Sequence, residues 1–570
     1  MNNVFFHVLR RMRVPLIVLI TLYAVSVLGL TLIPGVDAAG KPSAPMSFFH
    51  AFYFISYTAT TIGFGEIPTA FSDAQRLWVV FCIYLTVIGW SYSILTILAL
   101  FQDKGFQNTL VANRFARRVR HIREPFYLIC GCGETGSLVC QTLDRLGRKF
   151  VILEKNELCV QELDLVDFKT DTPVLACDAR LPANLMLAGL RHDKCCGVLA
   201  LTDNEEVNLA IAIATRLVNP DVQVLARALS PLLTANMASF GTNHIINPFE
   251  RFAEYLALAV AAPQRYRLLE ILTGLPGTPL SEPHRPPRGR WVVCGYGRFG
   301  HAIVQRLALT GIHLTIIDPR QPDAPDMHWI QGIGTDAATL RAAGIEAADG
   351  IVAGSDNDVN NLSIAVTARE LNPRLFVVTR QNYNANTILF EAFRDDFCMV
   401  PNRIIAQESI AILTTPLLTR FLDQVRTKEE PWCHGLANQL EKLDEGRFPD
   451  IWGLHLNVSQ AFAVHRAILM DDVKITLADL QRDNVERDKS IAMMPLLLVR
   501  GEQLLVTPEP GTMVEAGDQI LFAGCAGARS QLELTLDNAN VLDYVLTGRE
   551  RPNSWIWRWI SEGSPIRTHA

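Results

Sequence analysis

Two long runs without a charged residue dominate the first hundred positions: Val14–Ile33, twenty residues, and Leu77–Phe101, twenty-five. A helix rises about 1.5 Å per residue, so either run is long enough to cross a hydrocarbon layer of roughly 30 Å. Inside lipid every backbone polar group must find a partner within the protein, and two spanning helices follow. The first run is too long for the apolar core of a secretory signal and lacks a small-residue cleavage site, so it reads as a span. Arg10, Arg11 and Arg13 precede it, and Lys104, Arg114, Arg117, Arg118, Arg120 and Arg123 follow the second run, with only Lys41 and Arg76 between. The positive-inside rule then predicts a multi-pass protein of the plasma (inner) membrane with both termini cytoplasmic. A formal charge of −6 over 570 residues excludes the global basic field that nucleic-acid binding requires.

Between the runs, Ser47–Thr60 is uncharged and aromatic but only fourteen residues long. It is too short to span and predicts a re-entrant segment. Thr61-Ile62-Gly63-Phe64-Gly65 comes next, then Glu66. A dehydrated cation in a narrow pore needs oxygens in place of its water, and backbone carbonyls supply them when the chain alternates conformations that glycine permits. The stretch resembles the potassium-channel filter signature TVGYG, with Ile62 and Phe64 as departures. That resemblance implies K+ held by the backbone of Thr61, Ile62, Gly63 and Phe64, and a homotetramer around it, since one loop cannot surround an ion. Glu66 falls at the outer mouth or is a solvated acid. Gly89, midway along the second run, matches the hinge glycine of such channels or is a small residue that lets helices pack closely. Without an arginine-rich span, no voltage sensor of the usual kind is expected.

The remainder contains a repeat. Gly131, Gly133 and Gly136 follow the apolar stretch Phe126–Cys130; Gly295, Gly297 and Gly300 follow Trp291–Cys294, 164 positions on. The same shift carries Glu154 onto Asp318. Further along the offset is 153, taking Asn208 onto Asn361, Pro248 onto Pro401 and Pro263 onto Pro416. A GxGxxG motif between strand and helix, with an acid eighteen residues beyond, is the dinucleotide-binding pattern: the glycines admit phosphate to a helix N-terminus and the acid accepts from ribose. Glu154 and Asp318 favour NAD, NADH or an adenine nucleotide such as ADP or ATP over NADP, and Asp178 and Asp336, placed at the end of the next strand, could reach an adenosine. Glu134 in the first copy faces the incoming phosphate unfavourably, whereas Arg298, its counterpart, could pair with it.

A two-helix pore followed by tandem Rossmann-like units resembles the prokaryotic potassium channels that carry RCK (TrkA-N/TrkA-C-like) domains. The resemblance implies a membrane α-helical pore domain (1–101), a linker (102–124), a first α/β RCK unit with crossover helix (125–280), a short linker (281–290), a second Rossmann lobe with crossover helix (291–430), and a small α+β C-terminal lobe with tail (431–570). In that family the crossover helices swap between neighbours to build a gating ring, and Pro263 and Pro416 would kink them. The function expected is a tetrameric, potassium-selective channel gated by an intracellular nucleotide, and not an enzyme. Ca2+ is a rival ligand, with Asp203, Glu205 and Glu206 as hard oxygens but no contiguous calcium loop. A weakly selective cation channel and a membrane-tethered NAD-dependent oxidoreductase are the alternatives.

Overall fold

A computed structural model describes residues 2–37, 41–66, 70–274, 276–280, 282–321 and 327–549. The chain forms two compact units, Met1–His121 and Ile122–Ala570.

In the first unit, helices Asn2–Leu32 and Asp73–Gln102 contain the apolar stretches Met12–Leu32 and Asp73–Ala99, each long enough to cross a membrane. Small residues let them approach. A side chain on Gly89 would strike Leu22, and one on Gly29 would strike the Trp78 ring, whose Nε1 donates to the Ser26 carbonyl at 3.1 Å. The second helix runs unbroken through Gly89, which in this structure lies against Leu22. Helix Phe48–Ala59 lies between them, capped by the Ser47 hydroxyl, which accepts from the His50 N–H. Its Ala51, Phe54, Ile55 and Tyr57 share a core with Val27, Leu30, Val79 and Cys82. A further helix, Lys104–Arg120, closes the unit with Arg117, Arg118 and Arg120 in its last turn, where cations complement the helix dipole.

The second unit holds two six-stranded parallel sheets of one topology. The first runs in the order Val174–Ala176, Lys149–Glu154, Phe126–Cys130, Cys195–Ala200, Gln223–Arg227, His244–Ile246. The second repeats it as His328–Gln331, His313–Asp318, Arg290–Cys294, Gly350–Ala353, Phe376–Arg380, Phe397–Met399. Strand order reverses beside the strand that leads into each glycine loop, which opens a crevice at the carboxyl ends of the strands. The 153 offset carries one buried amide onto its equivalent, Asn208 onto Asn361, both fully buried. The Asn208 side chain joins Thr202 to the Arg227 carbonyl, and that of Asn361 joins Ser355 to the Arg380 carbonyl, so each amide ties together two strand ends of its crevice.

The crossover helices are exchanged within the chain. Helix Pro248–Ala261, which follows the first sheet, packs Phe249, Phe252 and Leu256 against Phe299 and Ile303 of the second copy. Helix Pro401–Thr414 returns the exchange, seating Ile405 and Ala406 against Val139, Cys140 and Leu143 of the first. Where the two helices meet, Arg251 pairs with Glu408 at 2.9 Å and the Tyr255 hydroxyl donates to the same carboxylate at 2.9 Å. Pro263 and Pro416 break these helices rather than bend them: the chain leaves the helical conformation at Ala262 and Thr415, and each proline opens a new helix at a position that needs no N–H.

The C-terminal lobe is α+β. Its antiparallel sheet runs in the order Asp450–His455, Gln519–Gly524, Met493–Arg500, Gln503–Val506, the last two strands forming a hairpin. Helices Phe462–Met470, Ala528–Asp537 and Ala539–Thr547 belong to the same lobe. Helix Glu430–Leu443 joins the core of helix Pro263–Thr273, fastened by the Glu430 carboxylate, which accepts from the N–H groups of Gln264 and Arg265. Of the short linker, Ser281 lies outside the described residues, as does the tail from 551 on.

Candidate functional site: the pore loop and the two crevices

The pore loop begins where helix Phe48–Ala59 stops at Thr60. Thr61, Gly63 and Gly65 have φ of 60°, 61° and 74°, so alternate residues are left-handed. Such alternation turns successive carbonyls toward one side of the strand, and at a threonine it is a strained conformation. Ile62 and Gly63 donate their N–H groups to the Tyr57 carbonyl at 2.9 and 3.2 Å. With its amides engaged on the helix side, the loop leaves its carbonyls for another partner. A Cβ on Gly63 or Gly65 would meet nothing within 4 Å, so what these positions demand is the backbone conformation.

Phe64 lacks a hydroxyl, and bracing comes instead from the short helix. The Tyr57 hydroxyl donates to the Glu66 carbonyl at 2.7 Å, and the Tyr53 hydroxyl to the Glu66 carboxylate at 3.1 Å. Tyr57 is buried and packs edge-on to Phe64, ring centroids 6.0 Å apart. Glu66 is thus a hydrogen-bonded member of the loop as well as an acid beside it.

In the second unit both glycine loops are built alike. Gly131 and Gly295 adopt φ of 93° and 92°, and a side chain on Gly131 would come within 2.8 Å of the Thr202 backbone. A Cβ on Gly136 or Gly300 would strike the carbonyl of Gly131 or Gly295. At Gly133 only a carboxylate oxygen of Asp203 lies within 4 Å, at 3.9 Å, and at Gly297 nothing does. These two positions leave the approach to the helix N-termini open, as an anion requires.

Glu154 accepts from the N–H groups of Cys132 at 2.6 Å and Asn156 at 2.8 Å; Asp318 accepts from Tyr296 at 2.7 Å and Arg320 at 2.9 Å. Both carboxylates therefore order their own loops, and each oxygen retains a lone pair for a ligand hydroxyl. Asp178 lies two residues past its strand and is clamped by Arg180 at 2.7 Å, which with the Arg180 N–H and Lys155 holds its carboxyl down to about 2. Asp336 does not end a strand. It lies five residues beyond Gln331 and caps helix Ala337–Ala342 by accepting from the Thr339 N–H and hydroxyl, which lowers its carboxyl's pKa.

The charges that distinguish the copies are engaged across the interface. Arg298 pairs with Glu205 of the first copy at 2.9 Å, and Glu205 also accepts from the N–H groups of Leu229 and Ser230. Glu134 turns to the second copy, accepting from the Asn402 side chain at 2.6 Å and the Asn384 N–H at 3.3 Å. Neither residue stands free at its own loop: the exchanged helix Pro401–Thr414 brings Asn402 to Glu134, and Glu205, at the start of helix Glu205–Val218, meets Arg298. Around the first loop opens a cleft of about 960 Å³ lined by both copies, with Cys132, Gly133 and Asp203 on one wall and Asp356, Tyr383 and Asn402 on the other.

Two of the three calcium candidates are already engaged. Asp203 pairs with Arg227 at 2.7 Å and Glu205 is used as above. Among the described residues no three His, Cys, Asp or Glu side chains gather as a metal site. Sequence reasoning passed over Arg227 and Arg380, one at the end of the fifth strand of each sheet, although the 153 offset relates them.

Fold and site together define a membrane protein in which a two-helix channel segment carries tandem Rossmann-like lobes. Residues 16–103 match the Ion channel family, and residues 127–248 and 291–399 each match the TrkA-N domain. The matches place an ion-channel segment ahead of two TrkA-N units. Over 203 residues the chain is 22% identical to Potassium channel protein 1 of Methanocaldococcus jannaschii, covering 35% of this chain and 59% of the relative. Over 230 residues it is 23% identical to Probable potassium channel protein 2 of the same organism, covering 40% and 65%. The chain thus spans less than two-thirds of the length of either relative. Among solved structures it is similar to a GsuK channel bound to NAD, at 16% identity and a TM-score of 0.44, over 94% of this chain and 100% of the other.

Proposed function

We propose that the protein is a homotetrameric, potassium-selective channel of the plasma membrane, with both termini cytoplasmic, gated by an adenine nucleotide or NAD(H) binding to the tandem RCK lobes. It performs no chemical step. The observation that carries the reading is the alternation of left-handed residues at Thr61, Gly63 and Gly65. Four such loops about one axis would replace the hydration shell of a potassium ion with carbonyl oxygens. The potassium-channel names of the two archaeal relatives support the choice of ion. The open approaches at Gly133 and Gly297 support an anionic ligand in the crevices. A ligand can shift the gate only by binding one state of the lobes more tightly than the other, and because the crevices lie against the interface between copies, a bound nucleotide would act on that interface.

Potassium flux into liposomes tests the pore. Gly63→Ala is expected to abolish it without preventing assembly, because Ala at φ near +61° costs about 1–2 kcal/mol in each of four loops. Undiminished flux in that variant, or equal sodium and potassium permeability in the parent, would sink the reading.

A further inference from the structure

Arg380 ends the fifth strand of the second sheet, beside the first turn of the helix that the second glycine loop opens. Its guanidinium lies over two rings, 4.7 Å from the centroid of Phe249 on the exchanged helix and 5.7 Å from that of Phe299. Its Nε is buried with no hydrogen-bond partner. Among the described residues no ion pair or side-chain hydrogen bond reaches this guanidinium. Asp358, one nearby acid, is turned to other donors: the N–H groups of Asn382 and Tyr383 and the Asn386 side chain. Asp356, the other, exerts an attraction but forms no ion pair, and Arg298 repels. Burial pulls the guanidinium's pKa down to about 10, the mark of a cation short of partners.

The counterpart in the first copy is satisfied. Arg227 pairs with Asp203 at 2.7 Å, at the position where the second copy has Arg380 and Asp356 without a bond. The repeat has therefore kept an arginine at both crevices and neutralised only one. Two aromatic faces offset part of the desolvation of Arg380 but offer its N–H groups no acceptor. A planar donor fork held beside a helix N-terminus suits a phosphate.

We propose that Arg380 holds a terminal phosphate in the second crevice, which therefore takes a nucleoside di- or triphosphate, while the first crevice, with Arg227 already neutralised, accepts a less anionic ligand. This rests on the nucleotide reading above and adds a division of labour between the copies. It also moves the phosphate-binding role from Arg298, engaged with Glu205, to a residue on the fourth strand further along the chain.

The test uses the full-length protein in detergent, with Gly133→Val added to obstruct the first crevice, and measures binding of ADP, adenosine and inorganic phosphate by calorimetry and thermal shift. Arg380→Met should weaken ADP at least tenfold, leave adenosine within about twofold, and leave the unliganded Tm no lower than the parent's, because it removes a partly buried cation whose Nε has no partner. Arg380→Lys, which keeps the charge, should fall between. Unchanged ADP affinity, or equal losses for ADP and adenosine, would overturn the proposal by making Arg380 a strut between Phe249 and Phe299. A parent that binds neither ADP nor adenosine defeats the nucleotide reading, and an Arg380-dependent response to phosphate alone would then still uphold the anion site.

Discussion

The Tyr57 hydroxyl donates to the Glu66 carbonyl at 2.7 Å, reaching from the buried face of the short helix to the far end of the loop that follows it. This bond and that of Tyr53 to the Glu66 carboxylate tether the segment where Phe64 offers no hydroxyl. Removing the Tyr57 hydroxyl should loosen the loop by about 1 kcal/mol per subunit, the net worth of one such bond. Tyr57→Phe is therefore expected to lower the potassium-to-sodium permeability ratio about fivefold, or to shorten sustained flux by a similar factor. Reversal potentials in planar bilayers would show either change, and a ratio equal to the parent's would mean that packing against Phe64 suffices.

Arg298 and Glu205 join the two copies through an ion pair whose arginine is more than half exposed, so its contribution is small, about 0.5 kcal/mol. Arg298→Gln should cost little stability. Arg298→Glu should cost more, by setting two carboxylates against each other beside the N–H groups of Leu229 and Ser230. In a Glu205→Gln background the difference between the two variants should vanish, as a double-mutant cycle on urea unfolding would reveal. A difference that persists would place the effect of Arg298 at its own glycine loop.

Glu408 is the acceptor on which the exchanged helices meet. Glu408→Ala strands Arg251 and Tyr255, with Glu254 left as the only acid paired to Arg251 among the described residues. The expected loss is about 2–4 kcal/mol of stability in the second unit, and Glu408→Gln should lose less because it still accepts from the tyrosine. Chemical unfolding followed by tryptophan fluorescence measures both. Equal losses would show that the carboxylate charge matters and its geometry does not.

Much of the architecture was legible because it rests on local constraints. A glycine required by φ near +90° after Cys130 and again after Cys294 survives as a pattern, and so does an uncharged stretch long enough for a bilayer. The roles of charged side chains were not legible in the same way. Glu134 and Arg298 differ in sign and face equivalent loops, and from that alone Arg298 was the phosphate ligand and Glu134 its obstacle; the structure turns both toward the opposite copy. Asp336 looked like a strand end and is a helix cap, since a carboxylate three residues before a threonine N–H serves either role until the strand length is known. Gly89 permitted a hinge or a close contact, and the structure shows the contact, with Leu22.

The sequence by itself determined two helices long and apolar enough to cross a membrane, a short aromatic helix leading into a glycine-bearing loop, and a duplicated strand–glycine–helix unit. Each follows from hydrophobic length or from backbone conformations open to few residue types. Only the tertiary structure decided that the crossover helices trade places between the copies. That choice depends on which apolar face Phe249 and Ile405 find across a distance the sequence does not encode, and it brings Glu205 to Arg298, Asn402 to Glu134, and the Phe249 ring to an arginine left without an acid.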